Sequence, residues 1–233
     1  MYQDIEYGGI RGSSIKIYAR ERPAIPAARI RRKQIVIPGR DGAVYQSDDT
    51  FEPTEIEVQF NYIGKESEWA KRWRLAQRWL AKENAKLRFS DDDGYFFWID
   101  HVELDENERT TRRIGNFTAT FTTRDGLYYL NSGLREHSKE EIQWNPYETS
   151  HPIYKITGEG MCTLEVNGNR MTANVGQNLT IDTDRMVAYR QDGTLQNTAV
   201  TGKYEDLYLT AGEIDIGIST GFDLKIIPNW RCR

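Results

Sequence analysis

Thr54–Tyr62 reads TEIEVQFNY, and the rest of the chain can be ordered around it. Ile56, Val58, Phe60 and Tyr62 fall on one side; Glu55, Glu57, Gln59 and Asn61 fall on the other. A period of two with one wholly polar face describes a half-buried antiparallel strand. Ile114–Arg124 (IGNFTATFTTR) repeats the pattern, with Phe117, Ala119 and Phe121 on one face and threonines opposite, which suits an exposed sheet surface.

Between these two stretches the period changes. Glu66–Asn84 (ESEWAKRWRLAQRWLAKEN) has no Gly, Pro or β-branched residue. Trp69, Trp73, Ala76 and Leu80 recur at helical spacing and form one stripe. Ser67 is expected to cap the start and Asn84 to end the helix, while Trp79 falls off the stripe beside Leu75. The aromatic face is expected to pack on a sheet, with a second reading in which part of it docks on a neighbouring subunit.

The same logic extends both ways. Ser14–Glu21 (SIKIYARE) reads as a strand with Ile15, Ile17 and Ala19 together. In Ile35–Tyr45 (IVIPGRDGAVY), two strand-forming runs flank a compact turn whose Gly39 and Gly42 can take positive φ, so a hairpin is expected. Lys86–Phe89 and Tyr95–Leu104 read as strands around the polar turn Ser90–Gly94. From Asn131 to Ser150 the pattern stops.

Beyond that point short alternations are separated by turns. Cys162, Leu164 and Val166 lead into Asn167-Gly168, a strong hairpin signal. Ile214, Ile216 and Ile218 alternate, as do Phe222, Leu224 and Ile226. The expected fold class is mainly β. Residues 1–135 form a β-rich α+β domain, a barrel or sandwich with one amphipathic helix. Residues 136–150 form a linker, and residues 151–233 a β-sandwich.

Composition narrows the function. Hydrophobic residues make up 38% and aromatics 12%, which argues against disorder. Against 35 acids stand 31 Lys and Arg, for a net charge of −4, and both halves are weakly acidic, so no basic footprint for a phosphate backbone is present. The start, MYQDIEYGGIRGSS, lacks the apolar core of a signal peptide, and no apolar run approaches the roughly 20 residues of a membrane helix. Cys162 and Cys232 are expected to be reduced thiols of a protein made in a cytoplasm.

Catalytic patterns are missing from the sequence. Asp91-Asp92-Asp93-Gly94 places Gly at position four, where a calcium loop of the EF-hand type needs it at six. His101, His137 and His151 lack zinc spacing, and neither a Gly-x-Ser-x-Gly elbow nor a glycine-rich phosphate loop occurs. No enzyme activity and no cofactor or metal are expected.

Several segments, in order, resemble one family. IVIPGRDGAVY, the Trp-rich helix after TEIEVQFNY, and LRFSDDDGYFFW resemble the N-terminal domain of siphophage distal tail proteins. SHPIYKITGEGMCTLEVNGNRM, LTIDTDRMVAY and the closing DLKIIPNWR resemble that family's C-terminal galectin-like β-sandwich. The resemblance implies a structural virion protein at the tail tip, assembled in the bacterial host cytoplasm. It implies a homo-hexameric ring joining the major tail protein to the baseplate hub, with the tail-associated hub protein and the tape-measure protein as further partners. In some members receptor-binding proteins are carried by the C-terminal domains, although no inserted arm is visible here. Genomic DNA passes through the ring without specific binding, and no membrane insertion is implied. Side chains lining the channel are expected to be acidic or neutral, because a basic lumen would retain DNA. Ile35, Ile37, Arg40, Asp41, Trp69 and Trp73 are the candidates for packing within or between ring subunits. The rival reading is a carbohydrate-binding or adhesion β-sandwich module, discriminated by a monomeric state with glycan affinity.

Overall fold

A computed structural model describes residues 4–233 of the chain. Met1–Gln3, the beginning of the segment read for a signal peptide, lie outside the described residues. The fold is mainly β and divides into two compact units, residues 4–128 with Arg233, and residues 129–232.

In the first unit the strands are β1 (Ile5–Tyr7), β2 (Ile10–Arg11), β3 (Ile17–Ala19), β4 (Arg29–Ile35), β5 (Val44–Glu52) and β6 (Glu55–Ile63). The helix α1 (Trp69–Leu80) follows, then β7 (Ala85–Phe89), β8 (Tyr95–Leu104), β9 (Glu108–Thr111) and β10 (Ile114–Thr123). A curled antiparallel sheet runs in the order β2-β1-β7-β8-β10-β6-β3, with β9 beside β10. β6 and β10 pair from Ile63–Ile114 to Glu55–Thr122, so their apolar positions share one face. That face holds Ile56, Val58, Phe60, Tyr62, Phe117, Ala119 and Phe121, all buried.

The helix covers this inner face. Phe60 and Phe117 stack with centroids 5.2 Å apart, Trp73 meets Phe117 edge-on at 5.2 Å, and Trp79 meets Phe60 edge-on at 5.8 Å. The expected stripe is therefore rotated. Trp79 is buried and donates its indole N–H to Tyr7 O at 3.1 Å, whereas Trp69 and Trp73 are half-buried at the margin of the core. Ser67 does not cap α1: Glu66–Glu68 form a 3-10 turn and Glu68 holds the N-cap position without a side-chain bond. Asn84, in the left-handed region at φ +48°, lies beyond the helix end. The expected strand from Ser14 is shortened to β3 because Gly12–Ile15 form a 3-10 turn closed by Lys16 at φ +60°.

The second unit contains β11 (Tyr128–Leu130) at its border, then β12 (Trp144–Asn145), β13 (Ile153–Val166), β14 (Asn169–Asp182) and β15 (Val187–Tyr189). After these come β16 (Val200–Thr201), β17 (Gly212–Glu213), β18 (Ile216–Ile218), β19 (Asp223–Ile227) and β20 (Arg231–Cys232). β13 and β14 form a long hairpin in continuous register from Ile153–Asp182 to Val166–Asn169. Asn167 (φ +50°) and Gly168 (φ +83°) make the tight turn, as the two-residue primed turns require. β15 and β16 pair with β14, and β18 and β19 with β13. Tyr154, Leu164, Val166, Met171, Ile181 and Ile226 fill the core.

Residues 136–150 are irregular yet tied to this core. Ile142 and Asn145 are buried. Asn145 donates to Leu209 O (2.9 Å) and Glu148 O (3.0 Å), and its own carbonyl accepts from Tyr147 N (2.9 Å). The stretch has no period because its backbone is held at scattered points: His137 and Ile226 exchange N–H···O bonds, Ser150 and Leu209 do the same, and the two-residue β12–β17 ladder lies between them.

Candidate functional site

The two most distinctive surfaces of the first unit are a free hairpin and a polar sheet face. β4 and β5 form their own two-stranded sheet, outside the main ladder. Their register runs Ile35–Val44, Gln34–Tyr45, Lys33–Gln46 and Arg32–Ser47, then shifts before Ile30–Phe51. Asp49 at φ +57°, its N–H held by Ser47 Oγ at 3.1 Å, sits inside that irregularity. A bulge of this kind bends the strand and re-aims what lies beyond it.

Beyond the bulge most of the ribbon is exposed. Val36 is 68% exposed, Tyr45 63%, and Ile35 and Ile37 are exposed as well. β4 carries Arg29, Arg31, Arg32 and Lys33 and no acid. The turn spans residues 36–43, longer than the predicted tip. Gly39 (φ +79°) and Gly42 (φ +80°) take the left-handed region there, and the Arg40 N–H donates to Ile37 O at 3.2 Å. Arg40 and Asp41 are exposed at the tip. Of the six candidate residues, the structure thus gathers Ile35, Ile37, Arg40 and Asp41 on one arm and places Trp69 and Trp73 against the core.

The outer face of the main sheet is built by the same alternation that buries the inner one. Glu57, Thr120 and Glu103 form one cross-strand row; Glu55, Thr122 and His101 form the next. A groove of about 590 Å³ opens on this side, lined by Arg20, Gln59, Asp105, Glu106, Glu108 and Thr118 among others. Arg20 donates to Gln59 there at 3.3 Å. The opposite surface of the unit, the outer side of α1, exposes Lys71, Arg74 and Arg78. The β6, β10 and β8 part of the outer sheet face is thus acidic, whereas Lys86 and Arg88 of β7 and Arg20 add cations elsewhere on that side, and further cations lie on the helix side and on β4.

The histidines serve structural contacts. His101 lies beside Asp100 (3.4 Å), His137 beside Glu141 (3.7 Å), and His151 between Asp184 (3.2 Å) and Arg231 (3.0 Å). Asp91 of the acidic turn pairs with Arg22 at 2.8 Å. Cys162 and Cys232 are thiols, not a disulfide; burial pushes the Cys162 thiol up, partly offset by a hydrogen bond with the Ser219 backbone. Among the described residues no cluster of three metal-ligating side chains occurs, and no helix is long and apolar enough to cross a membrane.

These features define a class of two-unit β proteins: a one-helix curled sheet with a projecting hairpin, followed by a β-sandwich built on one long hairpin. A solved structure with this fold is the Dit (gp 19.1) protein of SPP1, described as a paradigm of the hub adsorption apparatus of phages infecting Gram-positive hosts. The match has a TM-score of 0.70 at 13% identity and covers 96% of this chain and 97% of that one. No family model and no curated protein sequence matches the chain.

Proposed function

We propose that the chain is a structural hub of a siphophage tail, forming a closed ring at the distal end of the tail tube. The observation that carries this is the likeness to the SPP1 hub protein over both units, from one end of the chain to the other. The free hairpin supports it. An exposed ribbon with Ile35, Val36, Ile37 and Tyr45 uncovered leaves apolar surface and unpaired strand edges that a partner would bury. A head-to-tail contact of each copy with the next closes such edges by rotation. In this reading Ile35, Ile37, Arg40 and Asp41 pack against the neighbouring copy, while Trp69 and Trp73 brace the helix within their own unit.

The two rows Glu57–Thr120–Glu103 and Glu55–Thr122–His101 are the part of the sheet face turned to the channel. Its acids would let a DNA phosphate backbone pass without retention. The ring would be a hexamer between the major tail protein and the tail-associated hub, with the tape-measure protein inside during assembly in the host cytoplasm. The role is structural rather than enzymatic.

Native mass spectrometry tests the assembly. A species of six 27.1 kDa chains is expected. A strict monomer across all concentrations, alone and with the co-expressed tail proteins, would overturn the reading.

A further inference from the structure

The second unit carries one strongly exposed aromatic side chain. Trp144 is 62% exposed on β12, the most open tryptophan of the described residues. Its backbone is held on both sides. On one side Ile142 is buried, and the Gln143 carbonyl accepts the Ile214 N–H at 2.9 Å. On the other side Asn145 is buried and holds three hydrogen bonds of 2.9–3.0 Å. Across the ladder Trp144 faces Glu213. The backbone under the ring is thus fixed, and a rigid aromatic offers contact area at low entropy cost.

Its strand neighbour Gln143 and its cross-strand partner Glu213 line a groove of about 560 Å³, together with Asn167, Ile214 and Asp215. Asn167 is locked in place: its side-chain oxygen accepts the Asp215 N–H at 2.8 Å, and its own N–H donates to Asp215 O at 2.9 Å. The Glu213 and Asp215 carboxylates are exposed, and no cation lines the groove. Ile214, its one apolar residue, is buried and opens no side-chain pocket.

We infer that this groove and Trp144 form a binding site for a polysaccharide segment carrying amino sugars. The chemistry follows from the lining. A flat exposed ring stacks on the apolar face of a sugar, amides and carboxylates accept from its hydroxyls, and a sugar ammonium finds two carboxylates and a π face. Anionic glycans are disfavoured by the same carboxylates. A peptide anchored by apolar side chains would need a pocket, and the groove has none; strand pairing along β12–β17 is the alternative that the lysine tetrapeptide below tests. The site is built from residues of the second unit alone, and binding to it is read on the protein without tail partners.

Saturation-transfer NMR and titration calorimetry with a glucosamine tetramer test the inference, with a galacturonic acid tetramer and a lysine tetrapeptide in parallel. The glucosamine tetramer is expected to bind. Trp144→Ala should weaken it by at least about tenfold, as loss of a central aromatic anchor does. Glu213→Gln and Asp215→Asn should each weaken it as well, with unchanged melting temperatures. Absence of binding by the wild-type protein, unchanged affinity in Trp144→Ala, or equal or tighter binding of galacturonate or the peptide would each overturn the assignment.

Discussion

Arg231 points one guanidinium nitrogen at His151, with Nη2 3.0 Å from Nε2, while His151 Nδ1 lies 3.2 Å from Asp184 Oδ1. Arginine only donates, so Nε2 accepts and the proton of a neutral imidazole sits on Nδ1, where Asp184 receives it. The ring also stacks on Tyr208 with centroids 4.1 Å apart, near Glu205, and Arg231 Nε donates to Thr149 O at 2.6 Å. β20 is anchored to the residues before β13 in this way, since Asn229 also donates to His151 O at 2.8 Å.

Arg231 is buried, so its removal strands its acceptors. Arg231→Ala is expected to cost about 2–4 kcal/mol, read from urea unfolding at neutral pH. A loss below about 1 kcal/mol would contradict the buried, hydrogen-bonded role of Arg231.

Tyr7 reports the core of the first unit. Its ring packs edge-on against Phe121 at 5.3 Å and its hydroxyl donates to Lys82 O. Burial, then the nearby Glu83 charge, pushes the phenol up to about 12. The folded value lies above that of the unfolded chain, near 10, so this contribution is intact below about pH 10 and is lost as pH rises toward 12. Tyr7→Phe should lower stability by about 1 kcal/mol at pH 8 and flatten the alkaline fall. Denaturant midpoints between those pH values check both.

Asp182 behaves in the opposite sense to a paired carboxylate. It is buried, and desolvation raises it, opposed mainly by the Arg185 N–H donating to its Oδ1 at 3.0 Å. A raised carboxyl favours folding only while protonated, so that part of stability is lost as pH rises through its folded value. Asp182→Asn keeps the acceptor and removes the charge. Its urea midpoint should exceed wild type at neutral pH and converge with it at about pH 3, below the ordinary aspartate range.

Trp79, rather than Trp69, carries the helix. Trp79→Ala should cost about 3–5 kcal/mol, and Trp69→Ala clearly less, since Trp69 is only half-buried. Equal losses in thermal unfolding would contradict the rotated stripe.

That rotation shows what was legible in the sequence. The alternations at 54–62 and 114–123 named their buried faces correctly, because a period of two leaves no choice of face. Asn167-Gly168 located the long hairpin for an equally local reason. The helix face was less determined: Trp69, Trp73 and Trp79 all fit an apolar arc, and it is Phe60 on the sheet and Tyr7, some 70 residues away, that select Trp79. The strand from Ser14 was cut short by a left-handed Lys16, which no residue preference announces. On the candidate surfaces, Ile35, Ile37, Arg40 and Asp41 were visible as a turn, but the detachment of the whole ribbon from the main sheet was not. Nor was the His151–Arg231–Asp184 contact, since it joins three distant segments that share no motif.

The exposed arm separates assembly from folding. Val36→Asp with Ile37→Asp alters residues that touch little within their own chain, so the change in stability should stay within about 0.5 kcal/mol. Assembly should nonetheless be lost if the arm packs on a neighbouring copy. Thermal melts paired with sedimentation of the two proteins distinguish the outcomes; a folded variant that assembles like wild type removes the arm from the interface.

The most direct measurement of the account is rotational averaging of electron micrographs of the purified protein and of tails assembled with it. Sixfold rings with an open channel are predicted, and their maps should place Glu55, Glu57 and Glu103 on the channel wall. Particles without rotational symmetry in both preparations, or a ring whose wall is dominated by Lys and Arg, would contradict it.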